Sequence, residues 1–248
     1  MNSIPAKNVD VLIIGAGIGG ALMAVSLLGR GLKILVVDRR EPLRGSCLAS
    51  TAMILHEIDV PLHRLASRIG KEQARRVWQR SARAVESLAT LVDLLGVKCQ
   101  LQRKKALYLA GDAYGSRALK SEAAAREQAG VTAQFLTAAQ LRDRFAIERM
   151  AAIESNVSAS ANPAQLTAGL WRKAQTDGVF IVRGTEITDI RSVGGSTLAA
   201  TSKGEILEAR SVVFCTGLSF SMRLPIKGIA SSQPGHLQRG HIIRGRVG

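Results

Sequence analysis

The amino-terminal part of the chain has two apolar runs separated by a glycine-rich turn. Residues 9–14 form the first run, which is typical of a strand buried on both faces of a parallel sheet. The sequence GAGIGG follows at residues 15–20, and after it comes an apolar stretch with helical spacing. A second apolar run over residues 32–37 ends at Asp38. This order of strand, turn, helix and strand predicts a βαβ unit.

The turn has the GxGxxG spacing, with glycines at Gly15, Gly17 and Gly20. In a dinucleotide-binding unit the first glycine permits the tight turn, the second lets the pyrophosphate approach the backbone, and the third lets helix and strand pack closely. The helix that follows directs free N–H groups and about half a positive charge towards an anion. Asp38 stands where such a unit has an acidic residue that accepts hydrogen bonds from ribose hydroxyls. The spacing therefore predicts dinucleotide binding.

The βαβ unit alone does not distinguish NAD from FAD, because both carry a pyrophosphate and an adenosine ribose. Arg39 and Arg40 follow Asp38, but this carboxylate would repel the 2′-phosphate of NADP. We therefore expect the two arginines to contact adenine or solvent. The small and hydroxylic residues of 45–52 can bring hydrogen-bond donors close to a second phosphate, although they could instead cap an ordinary helix.

Three later segments extend the pattern. Asparagine and proline at 162–163 can start a helix, in which apolar residues recur every four positions until Gly178. The apolar residues directly after this glycine are typical of a strand. Turn residues at 194–195 and 203–204 predict the hairpins of a small β-meander. Residues 211–217, SVVFCTG, form an apolar strand that ends in a glycine.

Taken in this order, the segments resemble the FAD-dependent oxidoreductases of the D-amino-acid oxidase, glycine oxidase and sarcosine oxidase superfamily. In that family a Gly-Ser/Thr-rich segment contacts the flavin pyrophosphate and ribityl chain, a strand after the helix contacts adenine, and a strand ending in A-T-G lies beside the dinucleotide. Cys215 replaces the usual alanine. The resemblance implies FAD rather than NAD as cofactor. The cofactor-binding residues predicted from the motif and the resemblance together are Gly15, Gly17, Gly20, Asp38, Arg39, Ser46, Ala49, Ser50, Thr51, Ile187, Thr216 and Gly217.

The predicted fold class is α/β. A Rossmann-type FAD-binding domain with a β-meander comprises residues 1–55 and 160–217, and a mostly helical segment with part of a substrate domain occupies residues 56–159. Within that segment the periodicity predicts one long or broken helix over residues 64–96 and a strand over residues 104–110. Intact relatives oxidise the C–N bond of an amino acid or amine by hydride transfer to flavin. The resemblance assigns no catalytic residue here, because the groups that usually hold the substrate would lie beyond residue 217.

The superfamily continues well beyond its A-T-G strand. From residue 223 onwards this chain has five lysines and arginines, no acidic residue and no convincing strand pattern. We expect residues 218–248 to form a basic tail, and we interpret the chain as truncated, or as frame-shifted from about residue 229. One alternative function is a non-catalytic remnant that at most binds a dinucleotide. Another is a basic binding protein with a vestigial nucleotide unit.

The amino-acid composition limits which binding partners and which cellular location we expect. The net charge of +15 permits nucleic acid or an acidic surface, but only 4% of the residues are aromatic and no nucleic-acid motif is present, so we do not expect nucleic acid as a partner. The family resemblance instead implies a small amine or amino acid as substrate. Residues 11–28 carry no charge and barely reach the length of a membrane span, yet their glycines favour a turn instead. The widely spaced cysteines, Cys47, Cys99 and Cys215, argue against disulfides and metal and favour the cytoplasm. The oligomeric state stays open.

Overall fold

The structure is a computed structural model that describes residues 4, 6–45, 47, 50, 53–111, 114–217 and 242–244. Its chain forms two compact units. The outer unit comprises residues 1–50 and 163–248, and the middle unit comprises residues 51–162. The elements of the outer unit are β1 (Asn8–Ile14), α1 (Ile18–Ser26), β2 (Ile34–Val37), α6 (Pro163–Thr176), β7 (Phe180–Val182), β8 (Ile187–Val193), β9 (Ser196–Thr201), β10 (Ile206–Phe214) and β11 (Ile242–Arg244). Those of the middle unit are β3 (Met53–Leu55), α2 (Leu62–Ile69), α3 (Lys71–Leu94), β4 (Gln102–Leu109), α4 (Ser116–Gln128), β5 (Gln134–Thr137), α5 (Ala138–Phe145) and β6 (Ala151–Ser160).

The outer unit is built on one twisted sheet with the strand order β7-β2-β1-β10-β9-β8. Strands β7, β2, β1 and β10 run parallel to their neighbours, whereas β8, β9 and β10 form an antiparallel meander. All four residues of β2 are buried, as expected for a parallel strand covered on both faces. The predicted α/β class, the Rossmann-type unit and the β-meander are confirmed.

Two turns connect the meander where the sequence places them. Gly194 and Gly195 both have positive φ, at 55° and 85°, and they join β8 to β9. Gly204 has a φ of 79° and lies between β9 and β10. Residues other than glycine rarely adopt a backbone conformation with positive φ, so these glycines favour the hairpin turns at these positions.

One strand was not predicted. The sequence predicts no strand after residue 217, but Ile242–Arg244 forms β11 and pairs antiparallel with β10 at residues 211–213. That expectation was wrong because β9 covers only residues 206–209 of β10, which leaves the farther half of that edge available for pairing. The rest of the predicted tail lies outside the described residues.

The middle unit combines a four-stranded antiparallel sheet with four helices. Strand β6 pairs with β3, β4 and β5, and is therefore the centre of this sheet. The predicted helix over residues 64–96 is present as α2 and α3, which meet at Gly70 with a φ of 86°. The predicted strand over residues 104–110 is β4. The alternative that residues 45–52 cap an ordinary helix stays a prediction, because most of this segment lies outside the described residues.

Candidate cofactor site

The glycine turn lies between the ends of three parallel strands. The amide of Gly15 donates to the carbonyl of Val37 at the end of β2 (2.8 Å), and the amide of Cys215 after β10 donates to the carbonyl of Ile14 (2.7 Å). Gly15 has a φ of 112°, and a Cβ at this position would lie 2.5 Å from the Cys215 carbonyl oxygen. Only glycine therefore permits β1 to turn this close to the end of β10.

The other two glycines of the motif, Gly20 and Gly17, differ in how closely other atoms surround them. A Cβ on Gly20 would overlap the carbonyl oxygen of Gly15, so this glycine lets α1 pack directly on the turn. A Cβ on Gly17 would meet no heavy atom within 4 Å. Gly17 is also the N-cap of α1, and no side chain caps this helix end. The first turn of α1 therefore presents its N–H groups to open space beside Gly17, which suits an anion.

Asp38 connects the end of β2 to the glycine turn. Its Oδ2 accepts a hydrogen bond from the Ala16 amide (2.6 Å), and its Oδ1 accepts one from the Arg40 amide (2.8 Å). A carboxylate has about four lone-pair positions, so Asp38 keeps acceptor capacity for further donors. The side chain predicted to bind ribose is thus held within hydrogen-bonding distance of the turn predicted to bind pyrophosphate.

The residues predicted to lie near adenine differ in how exposed they are. Arg39 is exposed, and its Nη1 lies 3.8 Å from Oε1 of Glu186 in an ion pair. The Asp38 carbonyl accepts a hydrogen bond from the Thr185 amide (3.0 Å), which ties the residues before β8 to the end of β2. The side chain of Ile187 is only 7% exposed and packs in the core of the outer unit. Contact between Ile187 and a ligand would therefore involve its backbone.

The remaining predicted residues follow β10 and β2. The Thr216 amide lies 3.1 Å from where a Cβ of Gly15 would be, so Thr216 adjoins the turn, and Gly217 has a φ of 63°. Burial raises the pKa of the Cys215 thiol to about 11, which keeps it protonated. Ser50 is exposed. The predictions for Ser46, Ala49 and Thr51 lie outside the described residues.

The family described as "FAD dependent oxidoreductase" matches residues 10–245 of the chain. This chain belongs to the FAD-dependent oxidoreductase family. The match covers both segments of the outer unit and the whole middle unit between them. The predicted family and its FAD cofactor are confirmed.

Individual relatives match most of this chain, one by sequence and two by solved structure. YhfW of Bacillus subtilis (strain 168), provisionally described as a Rieske 2Fe-2S iron-sulfur protein, is 21% identical over 211 residues, which are 85% of this chain and 40% of that protein. Glycine oxidase from Bacillus cereus ATCC 14579 has a TM-score of 0.63 at 22% identity, over 87% of this chain and 57% of that chain. L-Amino acid deaminase from Proteus myxofaciens, in complex with anthranilate, has a TM-score of 0.70 at 21% identity, over 88% and 47%. The chain spans about half the length of these relatives.

The site fits the pyrophosphate and the adenosine ribose of FAD. The space beside Gly17 is open, the helix end is uncapped, and the Asp38 carboxylate adjoins both. Gly17 and the first turn of α1 would hold the pyrophosphate, and Asp38 would hold the ribose hydroxyls.

One residue of this site was missed by the sequence analysis. The indole N–H of Trp171, on α6, donates to the carbonyl of Ala16 in the glycine turn (2.9 Å), and the contact is buried. The sequence offered a weak signal, namely a tryptophan in a helix of mostly small and aliphatic residues. Because 155 positions separate the two residues along the chain, no local pattern could have paired them.

The middle unit contains a buried charged cluster. Glu122 and Arg126, on α4, are each 1% exposed and form an ion pair at 2.9 Å. The Arg126 guanidinium also lies 4.4 Å from the ring centroid of Trp78 and 3.6 Å from Oε1 of Glu57. Although burial raises it, hydrogen bonds from Arg126 and His63 hold the pKa of Glu122 below its ordinary value. This cluster joins α2, α3 and α4 within the middle unit.

Metal-binding clusters and membrane-spanning helices are both absent from the described residues. These residues contain no group of three or more His, Cys, Asp or Glu side chains that could hold a metal ion. Among the same residues, no helix is both long enough and apolar enough to cross a membrane.

Proposed function

We propose that this protein is an FAD-dependent oxidoreductase that oxidises the C–N bond of a small amine or amino acid. The observation that carries the proposal is the open, uncapped glycine turn beside Gly17, with the Asp38 carboxylate fixed next to it. This arrangement has donors for a pyrophosphate and an acceptor for a ribose, which are two parts of FAD. FAD supplies the acceptor for a hydride.

The substrate class rests on the related structures. The two solved structures are named as a glycine oxidase and an L-amino acid deaminase, and both share this fold. A small amine or amino acid is therefore the first class to test. The three cysteines are free in the structure, which supports a reducing compartment such as the cytoplasm.

The proposed cofactor site comprises two groups of residues. The first group lies at the glycine turn, and the second group extends the site beyond the turn. The extending residues, proposed from the resemblance, are Ser46, Ala49, Ser50, Thr51, Ile187 and Gly217. Residues of the first group bind and orient: Gly15 and Gly20 shape the turn, Gly17 leaves room for the pyrophosphate, and Asp38 accepts from the ribose. Thr216 adjoins Gly15 and would contact the same end of the cofactor.

The test is anaerobic reduction of the FAD-loaded protein by a panel of amino acids and primary and secondary amines. We expect at least one of them to bleach the visible flavin absorbance and to yield the corresponding imine or its hydrolysis product. If FAD binds but no amine or amino acid bleaches it, the proposed substrate class is wrong. That result would favour a dinucleotide-binding protein without amine oxidation.

A further inference from the structure

The indole N–H of Trp171, on α6, donates a hydrogen bond to the carbonyl of Ala16 in the glycine turn. Trp171 is 4% exposed, so its indole is held in the core of the outer unit. A buried tryptophan N–H usually finds an acceptor, but here the acceptor belongs to the motif itself. The contact therefore joins the packing of α6 to the conformation of the turn.

The accepting carbonyl determines where one motif amide points. The Ala16 carbonyl and the Gly17 amide belong to the same peptide group, and the chain contains no cis peptide bond among its described residues. In a trans peptide the C=O and N–H bonds point in opposite directions. Since the indole holds the Ala16 oxygen on the α6 side, the Gly17 N–H points to the opposite side.

The neighbouring peptide is held as well. The Ala16 amide donates to Oδ2 of Asp38 at 2.6 Å, so the two peptide groups on either side of the Ala16 Cα are both anchored. Glycine adds little restraint of its own, because Gly17 has no side chain and nothing lies within 4 Å of its Cβ position. Without the indole, the Ala16–Gly17 peptide would be restrained mainly by the start of α1.

We propose that Trp171 is a positioning residue for the cofactor pyrophosphate: its indole N–H fixes the Ala16–Gly17 peptide so that the Gly17 N–H faces the phosphate. The inference rests on the proposed function, because it needs a pyrophosphate beside Gly17. Trp171 itself does not touch the ligand. Its effect is therefore on affinity for any molecule that carries the pyrophosphate.

The variant Trp171→Phe keeps an aromatic ring on α6 and removes the donor. We expect FAD and ADP, which share the adenosine pyrophosphate, to bind about three- to tenfold more weakly to this variant, measured by isothermal titration calorimetry. Adenosine lacks the pyrophosphate, and its affinity, measured by competition against ADP, should be unchanged.

The matched control is Trp78→Phe. Trp78 is the only other tryptophan of the chain, is 0% exposed, and lies in the middle unit, where its indole N–H has no hydrogen-bond partner among the described residues. Both substitutions should lower the melting temperature, because both shrink a buried ring. Only Trp171→Phe should weaken ADP binding.

Three outcomes would overturn the inference in distinguishable ways. If the unaltered protein binds FAD and ADP and Trp171→Phe binds them equally well, Trp171 has a packing role only and the proposed function stands. If the unaltered protein binds neither, the proposed function fails and the inference fails with it. Equal losses for ADP and adenosine would also contradict the inference, since they indicate general damage to the site.

If Trp171→Phe does not fold, an NMR measurement on the unaltered protein tests the inference instead. The chain has two tryptophans, so its NMR spectrum contains two indole N–H signals, and Trp78→Phe identifies which belongs to Trp171. We expect the Trp171 signal to exchange slowly with solvent and to shift when ADP is added. A Trp171 signal that exchanges quickly, or that ADP leaves in place, would contradict the inference.

Discussion

The substitution Glu122→Gln tests the view that one buried carboxylate organises the middle unit. The Glu122 carboxylate accepts from the backbone amides of Leu62 (2.8 Å) and His63 (3.1 Å), which are the first amides of α2. It also contacts His63 Nδ1 (2.6 Å) and accepts from Arg126 Nε (2.9 Å). Helix α2 has no side-chain cap of its own, so Glu122 caps it from 60 positions away.

The expected loss follows from burial. Glutamine keeps one carbonyl oxygen but has no charge, and it leaves the 1%-exposed Arg126 guanidinium with Glu57, at 3.6 Å, as its remaining counter-ion. Removing one member of a buried ion pair costs about 3–5 kcal/mol. Since glutamine preserves volume and part of the hydrogen bonding, we expect about 3 kcal/mol, a large share of the total stability of a domain.

Urea denaturation followed by circular dichroism measures this loss, and Glu86→Gln is the matched control. Glu86 also pairs with an arginine, Arg103, through two hydrogen bonds of 2.6 and 2.5 Å, but both side chains are about half exposed. Exposed pairs contribute about 0–1 kcal/mol. Hydrogen exchange should also show faster exchange of the α2 amides in Glu122→Gln alone.

The pH dependence gives a second test. The pKa of Glu122 is lower in the folded chain than its ordinary value of 4.5, so its contribution to stability is complete above pH 4.5 and is lost as the pH falls through the folded value. The stability difference between the unaltered protein and Glu122→Gln should therefore shrink on acidification. Equal losses for Glu122→Gln and Glu86→Gln at neutral pH would show that the buried Glu122 carboxylate is no more important to stability than an exposed one.

Three further predictions concern the cofactor site. Gly17→Ala should change the free energy of unfolding by no more than about 0.5 kcal/mol, because the φ of −73° at Gly17 suits alanine and the space around its Cβ position is open, but it should weaken FAD binding at least about tenfold. Gly20→Ala should instead destabilise the fold by more than about 2 kcal/mol in urea denaturation, since the added Cβ would overlap a carbonyl oxygen. Asp38→Ala should lower FAD affinity about ten- to a hundred-and-fiftyfold, roughly 1.5–3 kcal/mol by calorimetry, and unchanged affinity would exclude the ribose role. Because burial raises the pKa of Cys215 to about 11, its thiol should react with iodoacetamide at pH 8 roughly a hundredfold more slowly than in the urea-unfolded chain, and an equal rate would contradict this.

The parts of the fold that the sequence predicted depend on local signals. The βαβ unit follows from apolar runs and glycine spacing, and the meander follows from hairpin turns at Gly194, Gly195 and Gly204. The short helix α5 likewise begins with a cap between residues close along the chain, in which the Thr137 side chain accepts from the Gln140 amide. Such signals involve residues that are close along the chain.

The parts that escaped prediction depend on distant residues. Strand β6 is the centre of its sheet, but it is rich in alanine and serine and so lacks the β-branched pattern of a buried strand. Its neighbours β3, β4 and β5 pair with it along both edges. The hydrogen bond by which Glu122 caps α2 likewise joins residues 60 positions apart. The hydrogen bond from Trp171 to Ala16 joins residues 155 positions apart.

Binding of FAD at the glycine turn is the premise of the proposed function. The most direct test is the visible absorption spectrum of the freshly purified protein, followed by identification and quantification of any cofactor released on denaturation. We predict a yellow protein that releases FAD, and no other dinucleotide, at about one molecule per chain, either as purified or after incubation with added FAD. A colourless protein that also fails to take up added FAD would contradict the account.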